Sequence, residues 1–483
     1  MRGPCRGGRR PHRREPRRYT SVVTTENSNV DPHARRRSAL GARLGNHPAL
    51  IASGSARPRN YTANTYPFRA SSHFLYLFGL AAERDAFAFY DGATWALYLP
   101  PRDPDDALWE GPRPSFAEIA AAAGCEVHGL PDLDRALGGR EVATLPASDL
   151  ETCEALSRWL GRDVRPRRFT AADETLAEAM IALRLQHDDA AVAELRLAAA
   201  ATDAAHRAGM RSTRPGLRES SVRAAMEAEI IARDLTVAYG SIVTTHGDVL
   251  HNEQHHRPLV ANDMILADVG AESPGGWAGD VTRTWPVSGR FSTAQRELYE
   301  VVLAAQREAI EAVRPGVRYR DIHLLAGRAL ARGLVDVGVL RGDAAELHAD
   351  GVLASFFPHG VGHLLGLDVH DMEDLGDRAG YAPGRSREPA PGMRYLRLDR
   401  DLAPGMALTI EPGIYFIQAI LDDPSLDARS GGRIDRGRVA AFVAAGARGI
   451  RIEDDLLVTA DGHEVLSAAV PKTVAAVEAQ MQR

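Results

Sequence analysis

Residues 356–371 read FFPHGVGHLLGLDVHD and determine how the rest of the chain is interpreted. Three histidines, His359, His363 and His370, lie within twelve residues. The two glycines between the first two histidines disfavour a helix and indicate backbone packed closely beside a site. A zinc-binding HExxH helix is excluded, because Gly360 stands where that motif needs glutamate. Since neutral imidazole is a common metal ligand and proton carrier, the stretch predicts a metal or proton-transfer site.

Four carboxylates in other phrases complete a candidate ligand set with His363. They are Asp268 in MILADVG, Asp280 in GDVTRTWPV, Glu411 in LTIEPG and Glu453 in GIRIEDD. A carboxylate among strand-forming apolar residues is costly to bury unless it is paired or bound to metal. This hard, oxygen-rich set suits a pair of divalent ions such as manganese. Two ions roughly 3.5–4 Å apart can hold a hydroxide and clamp the carbonyl that it attacks. A hairpin could join the two aspartates, and we expect the carboxylates on neighbouring strands of one sheet.

Composition bounds the class of protein. A chain of 483 residues predicts two domains plus a tail. Apolar residues make up 45% and charged residues 25% of the chain, as is typical of a soluble globular protein. The net charge of −6 gives no sign of a nucleic-acid partner. No run approaches the ~20 apolar residues of a membrane span. Three cysteines make no disulfide framework, which favours a reducing, cytoplasmic location. Lys472 is the only lysine, so lysine-based catalysis in the central domains is excluded.

The order of patterns along the chain predicts the domain organisation. Residues 1–31 are rich in arginine and lack an apolar core, so we expect a disordered basic tail, with an arm for an acidic partner as the alternative. Residues 32–165, with short strands such as PALIAS, DAFAFY and TWALYL, predict an α/β domain. The turn-rich stretch GRDVRPRRFTAADE is interpreted as a linker, placed at residues 166–180. In residues 181–483 a pattern of strands and a helix pair occurs twice, which predicts a pseudo-duplicated α+β domain.

The five ligand phrases, in this order, resemble the pita-bread metallopeptidases, the family of aminopeptidase P, prolidase and methionine aminopeptidase. The resemblance extends from about Arg35 to the C-terminus and is looser in the N-terminal part, where YPFRASSHFLYLFG resembles aminopeptidase P and eukaryotic prolidase alike. It implies an α+β fold: a pita-bread catalytic domain with a curved, pseudo-duplicated sheet and flanking helices, preceded by a smaller α/β domain of the aminopeptidase P type.

The resemblance also implies an activity. The expected enzyme is a dinuclear-metal Xaa-Pro aminopeptidase, which hydrolyses the bond between an N-terminal residue and a following proline. The implied cofactors are two divalent ions, Mn²⁺ first, with Zn²⁺ or Co²⁺ as alternatives. The implied partners are peptides with proline at the second position, without nucleic acid or membrane. A homo-oligomer, dimer or tetramer, is expected.

Roles for the ligand residues follow from the same resemblance. Asp268 is implied to chelate one metal, and Asp280 and Glu453 to bridge both. His363 and Glu411 are implied to complete the shell of the second metal. Glu411 is also the implied general base that orients the bridging hydroxide.

Three further histidines match non-ligand histidines of the family. His251 in VLHNEQ, His359 and His370 are implied to shape the proline pocket, hold the substrate carbonyl and relay protons. They are therefore candidate catalytic and substrate-binding residues.

Three features depart from the aminopeptidase P pattern. Asp268 and Asp280 are twelve positions apart, one more than the family spacing. A long insert, EDLGDRAGYAPGRSREPAPGMRYLRLDR, follows His370. The segment between Glu411 and Glu453 is long for a bacterial aminopeptidase P.

The insert leaves the length of the substrate open. It resembles prolidase, in which an arginine matching Arg397 holds the free carboxylate of a dipeptide; Arg451, beside Glu453, is also placed to bind substrate. If Arg397 points into the cleft, an Xaa-Pro dipeptidase is expected; if the cleft stays open, longer peptides are cleaved. The phrases FRASSHFLYLFG and DVTRTWPVSG favour the open cleft. All five ligands argue against an inactive pita-bread binding module and against a metal-free, creatine-hydrolysing relative.

Overall fold

The computed structural model describes residues 31–102 and 105–482. The predicted basic tail, residues 1–31, lies outside the described residues apart from Asp31. Of the three cysteines, Cys125 and Cys153 are described, and both are free. No helix in the described ranges is both long and apolar enough to cross a membrane.

The N-terminal domain is a five-stranded sheet with helices packed around it. Its elements are α1 Pro32–Leu44, β1 Ala49–Ala52, α2 Ser72–Phe78, β2 Phe87–Tyr90, β3 Trp95–Leu99, α3 Asp106–Trp109, α4 Phe116–Ala123, β4 Glu126–Gly129, a 3₁₀ turn Leu130–Asp132, α5 Leu133–Leu137, β5 Ala143–Thr144 and α6 Leu150–Leu160. The strand order is β4-β3-β2-β1-β5, antiparallel between β1, β2 and β3 and parallel at both edges. Strands β1 and β2 are buried on both faces, which matches their unbroken apolar sequences. The three strands predicted from PALIAS, DAFAFY and TWALYL are confirmed.

Helix α7 Ala171–Arg184 connects the domains and packs on α1 and β5 of the N-terminal domain. The second domain contains the helices that follow and four small sheets. Its first half comprises α8 Asp189–Ser212, α9 Glu219–Ile231, β6 Thr236–Val237, β7 Ile242–Thr244, β8 Met264–Asp268, β9 Ala271–Glu272 and β10 Thr282–Pro286. Its second half comprises α10 Thr293–Glu311, α11 Tyr319–Asp336, α12 Ala344–Ala349, 3₁₀ turns Leu353–Ser355 and Glu373–Leu375, α13 Asp377–Gly380, β11 Ala407–Ile410, β12 Gly413–Tyr415, α14 Gln418–Leu421, α15 Pro424–Ser430, α16 Arg436–Ala444, β13 Gly449–Arg451, β14 Asp454–Val458, β15 His463–Val465 and α17 Val474–Met481.

The two halves repeat one arrangement. Helix α8 packs on α9, and α10 packs on α11, each pair beside a three-stranded sheet. The sheets have the orders β10-β8-β7 and β11-β14-β15. The expectation of one sheet carrying all the carboxylates is wrong in this detail, because the halves form separate sheets. Single hydrogen bonds connect the halves, such as Glu453 N–H to the Thr282 carbonyl at 3.0 Å.

The predicted linker, residues 166–180, needs a correction. Only its first residues are turn-like, and α7 begins at Ala171. Thr170 and Asp173 form a reciprocal capping box, in which each side chain accepts the other's backbone N–H. The local sequence therefore starts a helix there. The connection between the domains is short and mostly helical.

A buried ionic network joins the domains behind the cleft. Arg184, at the end of α7, has a side chain only 1% exposed. Its guanidinium donates to Asp371 Oδ1 at 2.5 Å and lies 2.9 Å from His73 Nδ1 on α2. The other ring nitrogen of His73 lies 2.9 Å from Asp374 Oδ2. These contacts thus fix the segment that follows His370 to the N-terminal domain.

Candidate metal centre

The structure brings all five predicted ligand residues to one place, where strands from both halves end. Asp268 is the last residue of β8, and Asp280 lies two residues before β10. Antiparallel pairing places Thr282 opposite Asp268, so the predicted hairpin brings the two aspartates together. Glu411 follows β11, and Glu453 lies between β13 and β14.

The ligand atoms are close enough to share an ion. Asp280, His363 and Glu453 each offer an atom, and these atoms lie within 4.8 Å of one another. His363 Nε2 is 3.3 Å from Asp280 Oδ2 and 3.6 Å from Glu411 Oε1. This geometry suits a divalent ion held by carboxylate oxygens and one imidazole nitrogen.

His363 is oriented by its own loop. Its Nδ1 lies 3.0 Å from the Leu364 carbonyl, so Nδ1 donates there and Nε2 faces the carboxylates. Its backbone N–H donates to Thr409 Oγ1 at 3.1 Å. A Cβ at Gly362 would overlap the Thr409 carbonyl oxygen, so this close approach to β11 requires glycine.

Arg451 and Thr282 hold the carboxylates from behind. Thr282 Oγ1 donates to Glu453 Oε2 at 2.6 Å and accepts from Arg451 Nε at 2.9 Å. The guanidinium Nη2 of Arg451 donates to Asp268 Oδ2 at 2.5 Å. Arg451 is therefore ion-paired with Asp268.

Several polar contacts of the site were not predicted from the sequence. The Tyr239 hydroxyl lies 2.5 Å from Asp268 Oδ1 and 2.6 Å from Asp280 Oδ1. Asp455 accepts the backbone N–H of Asp280. The only sequence signal was position, since Asp455 follows a predicted ligand by two residues. The contacts of Tyr239 are made with residues 29 and 41 positions away, which no local pattern encodes.

The electrostatics fit a bound cation. Burial raises the pKa of Asp268 to about 6, although Arg451 opposes the shift. Burial also raises the pKa of Glu411 to about 7 and that of Glu453 well above its usual value, and neighbouring carboxylates add to both shifts. Burial disfavours the charged ring of His363, yet its hydrogen bond to Asp280 and the charge of Glu411 raise its pKa to about 9. Four converging carboxylates thus face two cationic groups, and divalent ions would offset the excess negative charge.

The other candidate histidines differ in how closely they approach the cluster. The His370 ring lies 4.3 Å from that of His363, and burial followed by the charge of His363 lowers the pKa of His370 to about 2. His359 Nε2 lies 2.8 Å from the Tyr415 hydroxyl, and its Nδ1 is 3.9 Å from Glu411 Oε2. His251 is exposed and only lines the cleft.

The two candidate arginines occupy different positions. Arg451 is buried inside the cluster, as its hydrogen bonds show. Arg397 is 36% exposed and donates to both carboxylate oxygens of Glu373, at 2.8 and 2.6 Å. Arg397 therefore lies near His370, with its charge already paired.

A cleft of about 680 Å³ leads to the cluster, and both domains line it. The second domain contributes Asp268, Asp280 and His370, and the N-terminal domain contributes Phe68 and His73. A substrate that reaches the carboxylates therefore contacts both domains.

The metal-free protein should lose stability as the pH rises from 6.5 to about 9. The pKa of His363, raised from 6.5 to about 9, means that the folded state binds this proton more tightly than the unfolded state. The stabilisation is complete below pH 6.5 and is lost as the pH passes 9, up to about 3 kcal/mol from this group. Urea denaturation of chelator-treated protein at pH 6.5 and at pH 9 measures the change in the free energy of unfolding. Manganese-loaded protein is the control, because a metal replaces the proton on His363; equal slopes in both forms would contradict the expectation.

The sequence profiles of two known domains match the chain. The profile of metallopeptidase family M24 matches residues 193–460, which contain all five candidate ligand residues. The N-terminal domain of aminopeptidase P matches residues 33–142. The chain belongs to metallopeptidase family M24. The family and fold expected from the ligand phrases, a pita-bread catalytic domain after an aminopeptidase P N-terminal domain, are confirmed.

Individual relatives cover nearly the whole M24 chain. Xaa-Pro aminopeptidase 2 of Streptomyces coelicolor is 33% identical over 474 residues, 93% of this chain and 90% of that protein. The structure of aminopeptidase PepP of Pseudomonas aeruginosa has a TM-score of 0.76 at 32% identity and covers 93% of this chain and 97% of its own. A zinc-substituted aminopeptidase P of Escherichia coli in complex with product has a TM-score of 0.74 at 28% identity. The match covers 94% of this chain and 99% of that chain.

Proposed function

We propose that this M24 metallopeptidase is an Xaa-Pro aminopeptidase, which removes the residue preceding a proline at the N-terminus of a peptide. The observation that carries the proposal is the convergence of four carboxylates and the His363 imidazole at the base of a two-domain cleft. Relatives named Xaa-Pro aminopeptidase match over nearly the full chain, including the N-terminal domain, and support the same substrate class.

The five residues would hold two divalent ions. Asp268 would bind one, Asp280 and Glu453 would bridge both, and His363 and Glu411 would complete the second site. Manganese is the first candidate, with zinc and cobalt as alternatives, because such hard ligand sets bind several divalent ions. Bound there, the ions would lower the pKa of a water molecule and polarise the scissile carbonyl.

Glu411 is the general base of the proposed reaction. Its carboxylate lies 3.6 Å from His363 Nε2 at the cluster, within reach of a water molecule activated there. Glu411 takes a proton from the attacking water and returns it to the proline nitrogen, because that amine is a poor leaving group without a proton.

Neutral histidines surround the substrate in this scheme. Burial and the nearby charge of Arg451 lower the pKa of His359 to about 3, and the Tyr415 hydroxyl fixes its ring. His370 can therefore hydrogen-bond the substrate carbonyl without adding positive charge beside the metals. Both ring nitrogens of His359 already have partners, the Gly360 carbonyl at 2.7 Å and the Tyr415 hydroxyl at 2.8 Å, so His359 would have to exchange one of them to contact substrate. His251, farther out, would contact the substrate near the entrance.

An Xaa-Pro dipeptidase is the second candidate. It requires a cation that receives the proline carboxylate, and Arg397 is the residue considered for that role. The pairing of Arg397 with Glu373 supports the aminopeptidase instead, since its charge is neutralised by the protein itself.

The remaining expectations stay predictions. A homo-oligomer has support in Leu108 and Trp109 of α3, which are 76% and 82% exposed. Solvent-exposed side chains of this size mark contact surfaces when they cluster. The cytoplasmic location rests on the cysteine content alone.

Manganese-loaded protein should release alanine from Ala-Pro-Ala and leave Ala-Ala-Ala essentially uncut. Removing the metal with a chelator should abolish turnover, and added manganese should restore it, because the carboxylates alone supply no activated water at neutral pH. Chromatography of released alanine measures both peptides. Comparable rates on the two peptides would exclude proline specificity, and full activity after verified metal removal would exclude a metal-dependent mechanism.

A further inference from the structure

Glu373 and Arg397 form an ion pair at the far side of His370 from the aspartates. Glu373 Oε2 lies 3.7 Å from His370 Nδ1 and 2.6 Å from Arg397 Nη1. The two side chains are 40% and 36% exposed, so the pair faces solvent on one side. It lines a second cavity of about 590 Å³, and His370 lines both this cavity and the main cleft.

The ion pair is connected to the ligand cluster through His370. The ring of His370 is 4.3 Å from that of His363, and Glu373 is one contact farther out. One extended residue spans at most about 3.3–3.6 Å. A dipeptide bound at the cluster with its proline towards His370, which lines both cavities, would bring its carboxylate beside Glu373 and Arg397.

The position of Glu373 is fixed by the fold. It begins the 3₁₀ turn Glu373–Leu375, in which Leu375 is buried and Asp374 contacts His73 of the N-terminal domain. The backbone therefore presents the Glu373 side chain to Arg397 from an anchored turn.

We propose that Glu373 occupies the carboxylate-binding position of Arg397 and thereby selects peptides longer than a dipeptide. The inference rests on the proposed peptidase function and assigns its substrate length. Arginine binds carboxylates well because its planar fork donates two parallel hydrogen bonds. Here Nη1 serves both oxygens of Glu373, so one arm of the fork is taken, and the negative charge of Glu373 repels a second carboxylate.

Longer peptides avoid this conflict. They present a neutral peptide carbonyl where a dipeptide presents its charged terminus. Among the described residues, no hydrogen bond to a side chain or carbonyl is made by Nη2 of Arg397, so this group can donate to such a carbonyl while Nη1 keeps its contact with Glu373. The intact ion pair thus accepts a peptide that extends beyond proline and disfavours an Xaa-Pro dipeptide.

The test compares Ala-Pro with Ala-Pro-Ala-Ala as substrates of manganese-loaded protein, by the ratio of their kcat/KM values. The native ratio should be below about 0.1. Glu373→Gln, and Glu373→Ala as a second variant, should raise the ratio at least tenfold, mainly by lowering KM for Ala-Pro. Adding Arg397→Ala to Glu373→Gln should remove the gain, because the freed guanidinium is its cause.

Asp377→Asn is the matched control. Asp377 lines the same cavity and pairs with another insert arginine, Arg387, at 2.7 Å. In the Asp377→Asn variant, the ratio of kcat/KM for Ala-Pro to that for Ala-Pro-Ala-Ala should stay at the native value. The proposal is overturned by a native ratio near one, by no gain in either Glu373 variant, by an equal gain in Asp377→Asn, or by a gain that survives loss of Arg397.

A binding measurement separates this inference from the peptidase proposal. Calorimetric titration of Ala-Pro into metal-loaded protein carrying Glu411→Gln should show about tenfold tighter binding when Glu373→Gln is added. Failure of the native protein to cleave the tetrapeptide contradicts the peptidase proposal, whereas unchanged Ala-Pro affinity contradicts the role of Glu373.

Discussion

Glu411→Gln should lower kcat for Ala-Pro-Ala by about 10²–10⁴-fold, the range that general-base catalysis contributes. Glutamine has the shape of glutamate, but its amide cannot accept a proton from the attacking water. The Glu411 side chain faces His363 at 3.6 Å, and Glu411 is also a candidate metal ligand, so the substitution would weaken metal binding as well. Steady-state kinetics at saturating peptide, together with the metal content of the purified variant, separates the two effects.

Glu464→Gln is the control for this substitution. Glu464 is a carboxylate of the same domain that pairs with Arg196 at the surface, away from the cluster. Its variant should keep the native kcat and thermal midpoint. A Glu411→Gln enzyme that retains two metals and more than a tenth of native turnover would exclude Glu411 as the base.

Arg184→Met should destabilise the protein by about 3–5 kcal/mol, as expected when one partner of a buried ionic network is removed. The substitution leaves Asp371, 1% exposed, without its cation. It also removes the contact to His73, so the domain junction loosens beside His370. Urea denaturation gives the loss of free energy, and peptide kinetics show whether KM rises as the His370 segment loses its support.

Arg196→Met provides the comparison. Arg196 pairs with Glu464, but its side chain is 53% exposed. Exposed pairs contribute only about 0–1 kcal/mol, so this variant should stay close to native stability. A similar loss in both variants would show that burial of the Arg184 network does not contribute the expected stabilisation.

The candidate ligand residues stand out in the sequence because their chemistry is unusual for their surroundings. Asp268 and Glu411 interrupt apolar strand sequences, and glycines surround His363, so each phrase carries its own signal. The hairpin between the two aspartates also follows from local order. That the two halves form separate sheets could not be predicted from the sequence, because strand pairing over more than a hundred residues depends on packing rather than on periodicity.

The contacts that support the candidate ligands could not be predicted from the sequence for a related reason. Tyr239 and Arg184 lie in ordinary local patterns, and their meaning arises only from distant partners. The contact of Arg451 with Asp268 is of the same kind, because the long side chain of Arg451 reaches Asp268 across the sheet junction. The start of α7 was missed because the capping box of Thr170 and Asp173 lies within a turn-rich phrase.

The ionic and apolar contacts between the domains bear on how the protein comes apart. One apolar cluster contains both Phe74 of α2 and Leu195 of α8, and Arg36 pairs with Asp188 across the same boundary at 2.7 Å. Detaching the N-terminal domain would hydrate that shared apolar surface and expose Arg184 to water. We therefore expect a single calorimetric transition on heating, with the van't Hoff enthalpy close to the measured enthalpy, even though two domains are distinguishable along the chain.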